Sequence, residues 1–392
     1  MRRLIFHIPS YIEQEGNDMH KLISFVLSVL MLVFQIPAAS ADGPALSYCI
    51  KPLHSDLIIA ESNADEWQNV AGLTKMPAVL TLCLAVDKGL IDENAEVTVS
   101  AAAASLGGPS AYLKKGETIA AKELLRAAVM ISAGDAIYAL SEYAFGSEDV
   151  FLKNIELTMR SAGVDKELPE CLGTYMTFSC KELISFGEAA AESPTFLKYC
   201  AEKYYVLEHA DGRKTELATA NKLLSTLPGC IGLFTGSSKS DGYCGVFACR
   251  RGEATYVCAV IGAQNSKSRF ETVTKLFEEA FANYKYYTIC DPEEPVVEAY
   301  PVEGGDVDSI DLYARESCGL LMKKTNGEPQ KRFDLPEILS APLDPEHAVG
   351  SIAFYDAEGM LLLEAALYPK DPVRASGFSE ILKRLLSSFV IG

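Results

Sequence analysis

Strand patterns stand at both ends of the first part of this chain, and helical patterns fill the stretch between them. Residues 45–50 and 57–61 alternate like the two strands of a hairpin. Residues 245–250 and 254–261 form a second hairpin pattern around a short turn, and a long helix pattern covers 73–90. An element buries its apolar face by packing against another layer. We therefore predict an α+β fold, with an antiparallel sheet flanked by helices.

A proline-containing, acidic segment, 290–295, interrupts this pattern and is typical of a linker. Short strand patterns follow it, including 352–355 and 360–367, and predict a small all-β domain. Residues 378–390 place their large apolar side chains on one helical face. This terminal helix can rest on a membrane surface or pack on its own β domain, and the pattern leaves both placements open. The predicted units are 42–286, the β domain 287–372 and the terminal helix 373–392.

The start of the chain has the features of an export signal. Lys21 precedes the apolar run 22–36, and Ala39-Ser40-Ala41 supplies the small residues that signal peptidase requires. We predict a signal peptide over 1–41, with 1–18 as a candidate upstream extension because Met19 also starts the pattern well. An uncleaved anchor is the alternative, although the run is short for the roughly 20 residues that span a bilayer. The mature protein is therefore expected at the extracellular face of the membrane or in the cell wall.

Composition excludes some classes of partner. The net charge of −18 disfavours nucleic acid, because phosphate binding needs a basic surface. Eleven cysteines, an odd number without a C-x-x-C pair, leave a disulfide framework open. Beyond Ala41, the histidines are His54, His209 and His347, which are too far apart in sequence for a ligand-spaced motif. We expect neither a metal nor a cofactor.

Three short motifs lie in order along the first unit: Gly72-Leu73-Thr74-Lys75, Ser132-Ala133-Gly134-Asp135-Ala136 and Phe234-Thr235-Gly236. Their order and separation resemble the S-x-x-K, S-x-N and K-T-G motifs of the D-alanyl-D-alanine carboxypeptidases, the low-molecular-weight penicillin-binding proteins. The runs into the second and third motifs, 116–125 and 221–232, resemble the same family. The resemblance covers about residues 42–286, and the later β domain and terminal helix match the family's architecture.

This resemblance implies a penicillin-binding, β-lactamase-like transpeptidase domain that acts on peptidoglycan. In such enzymes the lysine of the first motif deprotonates the serine one helical turn earlier. The second motif supplies a hydroxyl that relays protons and an amide that holds the substrate. The third motif lies on an edge strand and supplies backbone groups and a cation for the terminal carboxylate.

Each motif departs from the family at one position. Gly72 has no hydroxyl to form an acyl-enzyme, Gly134 has no amide, and Phe234 cannot hold a carboxylate. Lys75 and Ser132 are retained as the residues of catalytic type. The candidate substrate-binding positions are Thr235, Gly236, Gly134 and Phe234.

These departures lead us to expect a pseudoenzyme that binds peptidoglycan stem peptides ending in D-Ala-D-Ala, or a cell-wall enzyme. One alternative is an active serine-type carboxypeptidase with another nucleophile, such as Ser105 or Ser110. A second alternative is a structural envelope protein whose function lies in its β domain and terminal helix. Pro77 adds a local expectation, because proline is tolerated only in the first turn of a helix. The helix after the first motif must therefore start near Leu73 or bend there.

Overall fold

A computed structural model of the chain describes residues 46–168, 176–316 and 318–377. The predicted signal peptide and most of the predicted terminal helix lie outside the described residues. Within the described ranges, no helix combines the length and the hydropathy that crossing a membrane requires.

Nine α-helices are numbered here: α1 (Met76–Asp87), α2 (Ala101–Ala104), α3 (Ala121–Ile131), α4 (Gly134–Phe145), α5 (Glu148–Ser161), α6 (Cys180–Glu192), α7 (Pro194–Cys200), α8 (Leu223–Thr226) and α9 (Ser266–Asn283) in the described ranges. Two 3-10 helices cover Ala71–Lys75 and Lys324–Asn326.

The strands of the first unit are β1 (Ser47–Pro52), β2 (Ala60–Ser62), β3 (Gln68–Asn69), β4 (Glu96–Thr98), β5 (Thr118–Ala120), β6 (Thr177–Phe178), β7 (Tyr204–Glu208), β8 (Lys214–Ala218), β9 (Cys230–Ser238), β10 (Gly242–Arg251) and β11 (Ala254–Ala263). Those that follow are β12 (Tyr284–Cys290), β13 (Val297–Glu303), β14 (Ser309–Tyr313), β15 (Cys318–Lys323), β16 (Gln330–Asp334), β17 (Leu339–Ser340), β18 (Gly350–Tyr355) and β19 (Leu361–Pro369).

The main sheet joins the two hairpins that the sequence separates. Its strand order is β2-β1-β11-β10-β9, and every neighbouring pair is antiparallel. β1 pairs with β11 from Ser47 opposite Ile261 to Pro52 opposite Tyr256. The prediction of an antiparallel sheet closed by strands from both ends of the unit is confirmed. β9, which contains the third motif, lies at an edge of this sheet.

Helices cover both faces of the sheet and form two apolar cores. The larger core contains α1, whose residues Val79, Leu80 and Leu82 are fully buried. The smaller core lies on the other face, where α9 packs Val273 and Phe277 against the sheet. Each Å² of apolar surface removed from water stabilises the fold by about 25 cal/mol, so these two cores are the main source of stability.

A short 3-10 helix resolves the expectation raised by Pro77. Residues Ala71–Lys75 form this 3-10 turn, and α1 begins at Met76 with Pro77 in its first turn. Proline has no backbone N–H, and an N–H in the first turn of a helix has no partner within the helix, so proline is tolerated there. The first motif therefore lies on the 3-10 turn, ahead of α1.

The later strands form a second unit with its own core. Six strands follow the order β16-β18-β19-β14-β13-β17 around buried Leu312, Phe354 and Leu367. Val373 and Ala375 extend this sheet by bridging to Leu343 and Gly305. The terminal helix predicted over 373–392 therefore does not include 373–377, because these residues bond to the β unit in extended form.

Candidate active site

The three motifs meet in one cleft of about 640 Å³. Gly72 and Lys75 come from the 3-10 turn, Ser132 from the connection between α3 and α4, and Thr235 and Gly236 from the edge strand β9. The fold therefore brings together segments that are far apart in sequence, as the motif order predicts.

Lys75 is held in this cleft by the second motif. Its Nζ donates a hydrogen bond to the backbone carbonyl of Ser132, at 3.0 Å. Burial lowers the pKa of the Lys75 ammonium, and the nearby Asp135 carboxylate opposes that shift. Lys75 is therefore tied to a backbone oxygen of the second motif.

Ser132 occupies a strained backbone position. It caps the end of α3 with φ of +55° and is 8% exposed. A left-handed conformation is uncommon for a residue with a side chain and persists only where the surroundings enforce it. The connection between α3 and α4 enforces it here and directs Ser132 toward the cleft.

Asp135 holds the cleft wall opposite β9. Its carboxylate is 1% exposed and accepts hydrogen bonds from Ser110 Oγ at 2.7 Å, Ala111 N at 3.0 Å and Leu113 N at 3.1 Å. These bonds fix the segment after Gly107, which lines the cleft. Sequence analysis did not single out Asp135, although its place directly after Gly134 in the second motif was a signal.

The two glycines at motif positions leave room for side chains. A Cβ at position 72 would lie 3.5 Å from Gly236 Cα, an ordinary van der Waals distance. A Cβ at position 134 would lie 3.5 Å from Lys75 Nζ and 3.7 Å from the Gly107 carbonyl. Neither glycine is required by crowding at Cβ, so these positions lack a side chain that the fold could accommodate.

Gly236, in contrast, is required by close packing. A Cβ there would lie 2.8 Å from Gly72 N and 2.9 Å from Leu73 N. These contacts are shorter than backbone and side chain can tolerate without displacement. Gly236 therefore lets β9 approach the 3-10 turn that contains the first motif.

Phe234 does not line the cleft. Its side chain is 1% exposed, and its ring centroid lies 6.4 Å from that of Phe196. Thr235 faces the cleft instead, as alternation along a strand requires. The structure thus places the side chain at this candidate binding position in the core, and only the backbone of β9 is available to a ligand there.

Arg269, in the first turn of α9, is a cleft residue that sequence analysis did not select. Its side chain is 3% exposed, and Nη1 donates to the carbonyls of Gly236 at 3.2 Å and Cys244 at 2.8 Å. Its Nε is buried without a hydrogen-bond partner among the described residues. Burial lowers the pKa of Arg269 to about 10, so the group remains charged at neutral pH. The signal in the sequence was its position one helical turn before buried Val273.

The charged residues lining the cleft are all cations. Among the described residues that line it, Lys75, Lys222 and Arg269 carry charge, and no aspartate or glutamate is present. A cleft of one sign within a chain of net charge −18 concentrates ligands of the opposite sign. The arrangement favours an anionic ligand.

The two serines considered as replacement nucleophiles are engaged elsewhere. Ser110 Oγ donates to Asp135 and accepts from Tyr112 N at 2.8 Å. Ser105 Oγ donates to the carbonyl of Ala102 at 2.8 Å, at the end of α2. Ser105 therefore donates its hydroxyl proton to a backbone carbonyl, which is not a base. Ser110 donates its proton to Asp135, a carboxylate that also accepts hydrogen bonds from the backbone of residues 111 and 113.

Comparisons with known proteins agree with this geometry. The D-alanyl-D-alanine carboxypeptidase family matches residues 36–265. The D-alanyl-D-alanine carboxypeptidase DacF of Bacillus subtilis is 27% identical, over 95% of this chain and 99% of its own length. DacC of Escherichia coli is 25% identical, over 88% of this chain and 87% of its own.

A solved structure of penicillin-binding protein 5 from Haemophilus influenzae superposes with a TM-score of 0.69 and 21% identity, over 85% of this chain and 99% of that one. Penicillin-binding protein 6B of Escherichia coli gives 0.64 and 20%, over 84% and 98%. These likenesses confirm the predicted fold. The motif cleft and the match over residues 36–265 together show that the chain belongs to the D-alanyl-D-alanine carboxypeptidase family of peptidoglycan proteins.

Proposed function

We propose that this protein is a catalytically inactive member of its family that binds peptidoglycan stem peptides ending in D-Ala-D-Ala. The observation that carries this proposal is Gly72, a residue without a hydroxyl at the nucleophile position of an otherwise assembled cleft. Losing the nucleophile alone removes most of the rate of a serine hydrolase. The cleft has an edge strand and the three cations Lys75, Lys222 and Arg269, which support a binding role.

Peptide binding follows from two features of the cleft. β9 is an edge strand, so an extended peptide can add to it through backbone hydrogen bonds. Arg269, whose Nε has no partner among the described residues, supplies the cation for a terminal carboxylate. A charge-assisted bond of this kind contributes about 1.5–3 kcal/mol. Arg269 thus takes over the charge that Phe234 does not provide.

The binding test uses a dye-labelled L-Lys-D-Ala-D-Ala peptide and its C-terminal amide, measured by fluorescence anisotropy with the purified protein. We expect the protein to bind the acid. The amide should bind at least about tenfold more weakly, because the arginine loses its anionic partner. Arg269→Gln should lower the affinity for the acid to that for the amide. Lys267→Gln, an exposed neighbour on α9, should leave both unchanged. Equal affinity for the acid and the amide would overturn the role of Arg269.

The test of inactivity measures D-alanine release from a stem pentapeptide, beside an active relative. We expect no release. Release that penicillin abolishes would mean that the protein is a working carboxypeptidase with an unrecognised nucleophile. If the protein neither releases D-alanine nor binds the peptide, two explanations would be left. The protein would bind a cell-wall enzyme, or its β unit would have a structural role.

Export belongs to the same proposal. It rests on Lys21, the apolar run 22–36 and the small residues before Asp42. Mass spectrometry of the protein recovered from its source should find Asp42 as the first residue. An intact Met1 or Met19 terminus would contradict cleavage.

A further inference from the structure

Two cysteines face each other at the start of the second unit. Cys290 is the last residue of β12 and Cys318 is the first of β15, and the two are opposite in this antiparallel pair, next to a register shift between Thr288 and Cys290. Opposite residues in such a pair have Cα atoms about 4.5–5.5 Å apart and side chains on the same face. That separation falls within the range of roughly 4.4–6.8 Å that a disulfide spans. The pairing therefore places the two cysteines within the general range of a disulfide.

The Cys318 thiol lies close enough to Cys290 to affect its ionisation. Burial, together with a hydrogen bond between the Cys290 and Cys318 thiols, raises the pKa of Cys290 to about 12. Cys290 is 2% exposed, whereas Cys318 is only partly buried and can be reached from solvent. The pair combines a protected thiol with an accessible one.

A second opposed pair has no hydrogen bond between its thiols among the described contacts. Cys230 and Cys249 are opposite across β9 and β10, at a point where the register shifts between Ala248 and Cys249. The Cys249 thiol is directed to the carbonyl of Pro228, at 3.5 Å. Burial raises the pKa of the Cys249 thiol, and the nearby Cys230 adds to that shift. This pair therefore serves as an internal comparison for Cys290 and Cys318.

We infer that Cys290 and Cys318 form an intramolecular disulfide when the protein meets a disulfide oxidant. The Cys318 thiolate attacks one sulfur of the oxidant, so that a mixed disulfide forms and one oxidant thiolate leaves. The Cys290 thiol then loses its proton and attacks Cys318 Sγ, which releases the second oxidant thiol. Two protein thiols are oxidised and one small disulfide is reduced to two thiols.

The cross-link would close the loop of residues 291–317, which contains β13 and β14, and these strands contribute Val302 and Leu312 to the second core. Closing a loop stabilises the folded chain mainly by restricting the unfolded one. Because β12 follows α9 directly, the bond fastens the second unit where it leaves the first. Oxidation therefore adjusts the stability of the β unit without touching the cleft.

The experiment equilibrates the purified protein with oxidised glutathione and then counts free thiols and maps peptides without reduction. We expect the loss of two of the eleven thiols, one peptide pair linked through Cys290 and Cys318, and a rise in Tm of several degrees. Cys318→Ser should show neither the link nor the rise, and Cys249→Ser should behave like the unaltered chain.

Peptide mapping of the unaltered protein decides the matter even if a variant fails to fold. A map without the 290–318 link, or with a link between Cys230 and Cys249 instead, would overturn the inference. An unchanged Tm after the 290–318 link has formed would overturn its stabilising role. None of these outcomes depends on whether the cleft binds a peptide.

Discussion

Some motif residues of the active-site region differ from the family, whereas the residues that support the cleft, here called the frame (Asp135 and Gly236), match it. At the motif positions, Gly72, Gly134 and Phe234 stand where the family has a serine, an asparagine and a lysine, and of these three only Gly72 lines the cleft. In the frame, Asp135 keeps its buried hydrogen bonds and Gly236 keeps its close approach to the first motif. One side chain in each motif has changed, although Lys75 and Ser132 are retained, whereas Asp135 and Gly236, which shape the cleft, still match the motifs. This difference supports a binding role for the cleft, and the predictions below test it.

Phe234→Lys should have the largest effect, a loss of about 4 kcal/mol in the free energy of unfolding. The substitution places an ammonium among buried aromatic side chains beside Phe196, without an acidic partner. Urea denaturation measures the loss. Phe234→Leu is the control and should lose about 1 kcal/mol. Equal stability of the two variants would show that position 234 can reach the cleft after all, which would break the distinction between cleft and core.

Asp135→Ala should lower the free energy of unfolding by about 3 kcal/mol. It leaves the N–H groups of Ala111 and Leu113 buried without an acceptor. Asp56→Ala removes an exposed carboxylate and should change stability by less than about 0.5 kcal/mol. If the two variants unfold at the same urea concentration, Asp135 does not support the cleft wall.

Gly236→Ala should lower the free energy of unfolding by about 2 kcal/mol, because its Cβ meets backbone atoms of Gly72 and Leu73. Peptide affinity should fall as well, since β9 must move away from the 3-10 turn. Gly107→Ala, with no heavy atom within 4 Å of the added Cβ, is the matched control. A stable Gly236→Ala variant with normal affinity would argue against close packing as the reason for this glycine.

Peptide affinity should fall about tenfold between pH 9 and pH 11. Burial lowers the pKa of Arg269 to about 10, so the guanidinium loses its proton within this window and no longer attracts the carboxylate. Burial penalises the charged form of Arg269 in the folded state. Deprotonation removes this penalty, so the titration of this group does not by itself lower the free energy of unfolding. Anisotropy titrations with the acid and the amide measure the effect. A parallel decline for the amide would assign it to another group.

Gly72→Ser combined with Gly134→Asn should have the smallest effect on stability, below about 1 kcal/mol. Both added side chains begin at ordinary contact distances, 3.5 Å from their nearest neighbours. The variant restores a hydroxyl one turn before Lys75, and we expect slow covalent labelling by penicillin, detected by mass spectrometry. Labelling of the unaltered protein is the control. A folded double variant without an adduct would contradict the expectation that these two side chains are enough to restore acylation.

Much of the architecture was readable because local patterns specify it. The hairpins around 45–61 and 245–261 follow directly from apolar alternation, and the helix pattern over 73–90 contains α1. Such features depend on neighbours within a few residues, which the sequence shows.

The site was less readable because its residues come from distant elements. Arg269 has the sequence features of a surface arginine, and it lines the cleft only because α9 packs behind β9 and β10. Phe234 was expected at the binding surface, and the pleat of β9 turns it into the core beside α7. The start of the predicted terminal helix also differs, since 373–377 bridge to the β unit.

The sequence by itself determined the family, the order of the elements and the absence of a hydroxyl at position 72, because motifs and apolar periodicity are local properties. Tertiary structure alone decided which side of β9 Phe234 occupies, that Arg269 faces the cleft, and that Cys290 lies opposite Cys318. These depend on strand register and on helix packing across the sheet, which bring together residues that the chain keeps far apart.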